Sequence, residues 1–342
     1  MRIELKKLAL CLLILSLLAG CGKQETPTMF SDSLTGPFDT ISTVTIYKTP
    51  DAQVIEDVFA ALKDMDSCMS AISQSSELAK ISANPNEPVS VSEDIYRLIK
   101  LSIDVNKETG GAFDITIRPI MELWGFGSDN QRVPTEEEIQ AALTLTGMDK
   151  IKLSADSKVE LTKENMALDL GGIAKGYACD RAVEILRAEG VEHAVVDLGG
   201  NVFVLGTKLS GEPWRVGVRT PLAGENGHFG ALLLTDKAVV TSGLYERFFE
   251  QDGLVYHHII DPATGKPASG ELLSTTIIAD SATEADALST ACFVLGLEEG
   301  RDLLAEREGV EGIFVTNNWQ VYITPGLESI FTLVDDRFTQ EN

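Results

Sequence analysis

Residues 151–205 read IKLSADSKVELTKENMALDLGGIAKGYACDRAVEILRAEGVEHAVVDLGGNVFVL. Two periods alternate along this stretch. IKLS (151–154), VELT (159–162) and MALDL (166–170) place apolar residues at every second position and are separated by Asp-Ser and Lys-Glu-Asn turn residues, which predicts short strands. Ile173 to Ala188 switches to helical spacing, and His193 to Leu205 returns to a strand. Strand and helix are interleaved, but without the regular βαβα rhythm of a parallel sheet, so the expected class is α+β.

The same reading extends in both directions. Downstream, Trp214 to Arg219 is a strand, and Arg247 to Ile260 is a hairpin about Asp252-Gly253, a favoured type I′ pair. Ala282 to Leu295 is an apolar helix, and strand and helix alternate from there to Val334. Upstream, Phe38 to Tyr47 is rich in Thr, Ile and Val and reads as a strand. Val54, Ile55, Val58, Phe59, Leu62 and Met65 recur at helical spacing within a helix over about 52–69. Ser92-Glu93-Asp94 opens another helix, closed by Gly110-Gly111, and Thr135 with Glu138 forms a capping box. No linker interrupts residues 36–334, so residues 36–342 are expected to form a single compact catalytic unit of mixed sheets and packed helices, in one lobe or two.

The first residues read as an address. Met1 to Lys7 carries Arg2, Lys6 and Lys7 against Glu4, and Leu8 to Leu18 is apolar except for Ser16. A bilayer-spanning helix needs about twenty apolar residues, so this shorter run is the core of a secretory signal. Leu18-Ala19-Gly20-Cys21 resembles a bacterial lipobox. The resemblance implies cleavage before Cys21, a lipid on its sulfur, and an exported protein held on a membrane by that anchor. Residues 1–20 are then the signal peptide and 21–35, polar and without periodicity, a flexible tether.

Charge narrows the partners. The 342 residues hold 52 Asp and Glu against 28 Lys and Arg, a net charge of −24. Such an excess argues against nucleic acid and against a basic lipid-binding patch. A phosphate-bearing ligand would need a metal ion or backbone amides to offset the repulsion. Cysteine usage is sparse, with no CxxC and no CxxH. Cys68, Cys179 and Cys292 fall in apolar helical patterns and read as core fillers, with one disulfide allowed but not required.

Four islands carry candidate chemistry: Gly111-Ala112-Phe113-Asp114; Asp169-Leu170-Gly171-Gly172-Ile173-Ala174-Lys175; Asp197-Leu198-Gly199-Gly200-Asn201; and Ser242 to Arg247 leading into His258-Ile259-Ile260-Asp261-Pro262. Two readings stay open for each Gly-Gly pair. It is either a tight turn needing glycine's dihedral freedom, or a point where backbone approaches a ligand at a helix N-terminus. Lys175, in the first turn of its helix, lies where a phosphate would sit. Neither GxGxxG nor GxxxxGKS is present. Asp286 and Thr290, at i and i+4, put a carboxylate and a hydroxyl on one helix face. They suit Mg²⁺ as hard oxygen ligands, or simply decorate a helix start.

Taken together and in order, the motifs GAFDIT (111–116), DLGGIAKGYACDR (169–181), VVDLGGN (195–201), SGLYER (242–247), HIIDPATGKP (258–267) and EADALST (284–290) resemble the ApbE family, the FAD:protein FMN transferases. The likeness runs over essentially all of residues 36–334. It implies Mg²⁺-dependent transfer of the FMN moiety of FAD to a Ser or Thr hydroxyl of an exported acceptor protein, such as a membrane redox subunit, with release of AMP. It implies Asp286 and Thr290 as metal ligands, with the Gly172 carbonyl and the neighbouring Ser289. It implies FAD contacts at Phe38, Ile72, Ala112, Phe113, Asp114, Asp169, Lys175 and the backbone near Ile260. Ile72 replaces an aromatic residue and would stack less well.

The chain has four histidines, His193, His228, His257 and His258. The motif picks His258 as general base, with Asp261 orienting the imidazole or the acceptor; imidazole suits this role near neutral pH. In a strand, His257 and His258 would face opposite sides, so one should meet the site and the other not. An FAD pyrophosphatase and a non-catalytic FAD-binding lipoprotein are the alternatives that the same motifs allow.

Overall fold

The computed structural model describes residues 28–48, 51–222, 224–225 and 227–341. The expected signal peptide and Cys21 lie outside the described residues. Along the chain the strands are β1 (Met29–Thr35), β2 (Ile41–Tyr47), β3 (Val89–Ser90), β4 (Ile151–Ser154), β5 (Lys158–Leu161), β6 (His193–Leu198), β7 (Asn201–Leu205), β8 (Trp214–Arg219), β9 (His228–Leu234) and β10 (Lys237–Gly243). They continue with β11 (Phe248–Gln251), β12 (Leu254–His257), β13 (Ile260–Asp261), β14 (Lys266–Pro267), β15 (Leu272–Ala279), β16 (Glu311–Thr316), β17 (Gln320–Ile323), β18 (Phe331–Leu333) and β19 (Thr339–Glu341). The helices are α1 (Gln53–Met69), α2 (Glu77–Ala83), α3 (Glu93–Glu108), α4 (Arg118–Trp124), α5 (Glu136–Leu143), α6 (Ala174–Ala188), α7 (Ala282–Leu295) and α8 (Leu297–Ala305).

A nine-stranded sheet in the order β1-β2-β6-β7-β10-β15-β16-β17-β19 forms the frame. Its pairs are antiparallel except β17 with β19. The two-residue period of its central strands divides the interior. Val240, Ile277 and Phe314 face the large core shared with α1, α3, α6 and α7, whereas Val239, Ile278, Ile313 and Val315 face a second core. The small sheet β18-β9-β8 closes that second core on the opposite side. A third cluster of Ile120, Trp124, Ile139, Ala142, Phe249 and Ile260 joins α4 and α5 to the β11–β12 hairpin. The class is α+β, as the mixed pattern implied.

Several boundaries differ from expectation. The segment taken as a tether over 21–35 is a strand from Met29 onward, paired with all of β2 from Met29↔Tyr47 to Thr35↔Ile41. An edge strand of this kind draws its stability from ladder bonds and hydroxyl pairs such as Ser31–Thr45 and Ser33–Thr43, so it carries no apolar alternation. Phe38 belongs to a short turn with φ of 56°, and β2 begins at Ile41. MALDL forms no strand and pairs in no ladder. His193 to Leu205 is two strands folded at Gly199-Gly200, whose φ values are 61° and 95°. A side chain at Gly199 would also collide with Thr40, so the third island is a hairpin turn. The hairpin at Asp252-Gly253 has φ of 54° and 76°, as a type I′ pair requires.

A close backbone constraint lies where α6 crosses α7. A Cβ on Gly176 would run into the Ala282 carbonyl and stand 2.7 Å from Asp286 Cβ. Gly176→Ala should therefore cost about 1–3 kcal/mol through overpacking, read as a lower urea midpoint with an unchanged slope. Gly270→Ala, where nothing lies within 4 Å, should leave the midpoint in place.

Candidate active site

Helices α6 and α7 exchange caps. Asp180, on α6, accepts from the backbone N–H groups of Ala282 (2.7 Å) and Thr283 (2.9 Å) and from the hydroxyls of Ser281 and Thr283. These are the amides that the start of α7 leaves without helical partners. In return Asp286, on α7, accepts from the first-turn amide of Gly176 at 2.8 Å. The consequence falls on Gly172. In a regular helix the Gly176 N–H would bond its carbonyl, yet among the described residues that bond is not formed, although Tyr177 bonds Ile173 in the usual way. The Gly172 carbonyl is left without its helical donor at the turn that enters α6.

Thr290 stands against the same turn. A Cβ on Gly172 would lie 3.4 Å from Thr290 Oγ1 and 3.1 Å from the Phe113 ring, so only glycine lets the backbone approach this closely. Gly172, Asp286 and Thr290 thus converge as the resemblance implied. Ser289 does not join them in the same way: it is fully buried, and its hydroxyl donates to the Asp286 carbonyl at 2.9 Å. Ser242, which the motif reading left without a role, bridges Ser289 at 2.8 Å and Thr290 at 3.4 Å. No sequence period could have placed a β10 residue against α7.

Burial pushes the Asp286 carboxyl above the usual carboxylate range, and Lys175 and the Gly176 amide pull it back. The amide of Asn201 also lies beside it, without a hydrogen bond of good geometry. Lys175 acts on Asp197 and Glu246 too, two carboxyls raised by burial and lowered by its charge. Lys175 thus acts electrostatically on all three carboxyls, and Arg247 and Arg219 act on Glu246 as well. The all-oxygen set of Gly172, Asp286 and Thr290 fits Mg²⁺. Among the described residues no group of three or more His, Cys, Asp or Glu side chains is placed to hold a metal ion.

The other expected residues fall around this centre. Asp169 accepts from Gly171 N at 2.8 Å and pairs with Arg118 at 3.5 Å, while its own N–H bonds Ile115 at 2.8 Å. The first two islands are thereby stitched together. Ala112 and Phe113 are buried, and Asp114 accepts from the Thr116 N–H and hydroxyl, its carboxyl raised by burial. Phe38 is half-buried, with its N–H on Asp66 at 2.8 Å, and Asp39 beside it pairs with Arg247 at 3.6 Å. Ile72 stands apart, 67% exposed on the loop after α1. Ile260 is a core residue of the third cluster.

His257, the last residue of β12, and His258, just beyond it, point into different surroundings. His257 is buried, its Nε2 on the Ala268 carbonyl at 3.0 Å and its ring edge-on to Phe293. Half-buried His258 places Nδ1 3.1 Å from the Arg247 carbonyl. A carbonyl only accepts, so Nδ1 carries the proton and Nε2 keeps its lone pair. Burial lowers the His258 pKa to about 4, with Arg247, His257 and Lys175 adding to the effect. Asp261 does not orient this ring: its two oxygens take the Ala263 N–H and the Thr264 hydroxyl, each at 2.9 Å, and shape the turn after β13. Two surface hollows of about 540 and 440 Å³ lie around α4 and α5, and neither is lined by Lys175, Asp286 or Thr290. Convergence of groups marks this site, not cavity size.

The ApbE family model matches residues 38–314. The chain belongs to the ApbE family. Among curated relatives, the FAD:protein FMN transferase of Treponema pallidum is 38% identical, covering 88% of this chain and 89% of its own length. That of Klebsiella pneumoniae is 36% identical, covering 82% and 88%. Among solved structures, the ApbE protein of Thermotoga maritima superposes with a TM-score of 0.80 at 36% identity, over 88% of this chain and 99% of the other. The flavin transferase ApbE of Vibrio cholerae gives a TM-score of 0.80 at 28% identity, over 89% and 100%. These matches span the islands that converge here. Cys68, Cys179 and Cys292 are free thiols in this ApbE-family chain.

The exchange of caps makes a test. Asp180→Ala should cost about 1–3 kcal/mol, because it strips buried donors of their acceptor, and should lower the urea midpoint. Arg181→Ala, one residue on, loses a surface pair with Glu184 and should change it by less than about 0.5 kcal/mol.

Proposed function

We propose that this chain is an FAD:protein FMN transferase, moving the FMN moiety of FAD to a Ser or Thr hydroxyl of a partner protein. The observation that carries the proposal is the Gly172 carbonyl, freed from its helical donor beside Asp286 and Thr290 and within the electrostatic reach of Lys175. Gly172, Asp286 and Thr290 would hold Mg²⁺, which supplies charge neutralisation at the pyrophosphate and polarises the phosphorus under attack.

The protein's own groups account for the remaining steps. Lys175, in the first turn of α6, binds the pyrophosphate at the helix start. The Nε2 lone pair of His258 takes the proton from the acceptor hydroxyl as its oxygen bonds the flavin-side phosphorus. The bond from that phosphorus to the bridging oxygen breaks, and AMP leaves with the electron pair. Phosphoryl transfer asks the protein for positioning and charge neutralisation rather than covalent help. This economy suits a site built from backbone, one lysine and one imidazole. Water and an acceptor hydroxyl would use the same groups, so hydrolysis of FAD to FMN and AMP is the second reading that the geometry allows.

We place the enzyme outside the cytoplasm, anchored through Cys21. The lipobox supports this reading, and among the described residues no helix is long and apolar enough to cross a membrane. An acceptor facing the same compartment follows from that placement. Incubation with FAD, Mg²⁺ and a protein bearing an exported acceptor threonine should give a fluorescent band that survives denaturation, with AMP released in equal amount. FMN and AMP without a labelled band would leave the hydrolase reading instead.

The imidazole sets the pH profile. Because the His258 pKa is lowered to about 4, the ring stays neutral through the mildly acidic range, and kcat/KM should fall only as pH drops through about 4. An inflection near the ordinary histidine value of about 6.5 would contradict the assignment. His258→Asn should lower kcat by about 10²–10⁴-fold and remove that inflection.

A further inference from the structure

We infer that Ser242 and Ser289 are positioning residues that fix the hydroxyl rotor of Thr290, so that its lone pairs rather than its proton face a bound cation. This inference rests on the reading of Gly172, Asp286 and Thr290 as the cation site. It departs from the expectation that Ser289 is itself a ligand.

The directions of three hydrogen bonds follow by elimination. The Asp286 carbonyl can only accept, so the Ser289 hydroxyl spends its proton there at 2.9 Å. Ser289 then has lone pairs but no proton for Ser242, so across their 2.8 Å contact Ser242 donates. With its proton committed to Ser289, Ser242 can only accept from Thr290, across 3.4 Å. The order is Thr290 to Ser242 to Ser289 to the Asp286 carbonyl, one proton per link. At its far end the Thr290 oxygen is left with both lone pairs and no proton of its own to point into the site.

This matters because a hydroxyl is an ambiguous ligand. A threonine rotor free to turn presents its proton to a cation as readily as its oxygen, and each wrong orientation is repulsive. Ser289 is fully buried, and Ser242, half-buried on β10, holds its hydroxyl between Ser289 and Thr290. Both ends of the chain sit on α7: Asp286 supplies the terminal carbonyl and, through its side chain, the carboxylate that accepts the Gly176 amide. The backbone and the side chain of one residue therefore organise two of the expected oxygen ligands.

Mn²⁺ binding to the full chain, followed by electron paramagnetic resonance without FAD or acceptor, reads this directly. Asp286→Ala and Thr290→Val should each weaken binding by at least about tenfold; if neither does, the cation site itself is misplaced. Given that they do, Ser242→Ala and Ser289→Ala should each weaken Mn²⁺ by about three- to tenfold, the scale of one lost hydrogen bond. The double variant should be no weaker than the worse single one, because the two residues act in series. Ser242→Thr, which keeps the hydroxyl, should restore affinity to within about twofold. In turnover, Ser242→Ala should raise the Mg²⁺ concentration needed for half-maximal rate while kcat at saturating Mg²⁺ stays near wild type. Unchanged affinity in Ser242→Ala overturns the inference. So do multiplying losses in the double variant, with Ser289→Ala as damaging as Thr290→Val, which would make Ser289 a direct ligand.

Discussion

One hydrogen bond organises the rest: the Gly176 amide, at the start of α6, donates to the buried carboxylate of Asp286 on α7. It exists only because glycine lets the two helices touch backbone to side chain. It satisfies an amide that a helix start leaves open, gives a desolvated carboxylate a partner, and denies the Gly172 carbonyl its usual donor. The reverse cap, Asp180 on the start of α7, locks the crossing from the other side. Each helix thus completes its neighbour's first turn, and Gly172, Asp286 and Thr290 lie where both turns meet.

The acidic balance takes on a specific meaning in this frame. A chain at −24 cannot attract a pyrophosphate by its overall field. It instead concentrates one lysine among Asp197, Glu246 and Asp286, all held above their ordinary pKa by burial. Burial raises these carboxyls and the charge of Lys175 opposes that rise. The same burial keeps His258 neutral, because the charged imidazole would be desolvated and would face Arg247 and Lys175. A lowered imidazole pKa and raised carboxyl pKa values are two results of one low-dielectric site.

Much of this was legible in the sequence, for physical reasons that differ by element. The capping box at Thr135 and Glu138 and the type I′ turn at Asp252-Gly253 are local and were read correctly. Helices α1, α3 and α7 followed from apolar periodicity, and the Asp286–Thr290 pairing from helix geometry. The strand β1 was hidden because its polar face pairs hydroxyl to hydroxyl at a sheet edge. The turn at Phe38 was hidden because its positive φ is held by Asp66, distant in sequence. Asp261 is held away from the imidazole because a carboxylate two residues before an open amide satisfies its own turn first. Ser242 and the true place of Ser289 depend on β10 meeting α7, a contact that no local pattern encodes.

Hydrogen exchange at the Gly176 amide tests the organising bond most directly. A first-turn helix amide without a partner exchanges rapidly, whereas an amide bonded to a buried carboxylate exchanges as slowly as the middle of the helix. Gly176 N–H should be protected to the same degree as Ala182 and Val183 in the wild-type chain. This protection should be lost in Asp286→Ala while the middle of α6 stays protected. Rapid exchange at Gly176 in the wild type, or protection that survives Asp286→Ala, would contradict that bond.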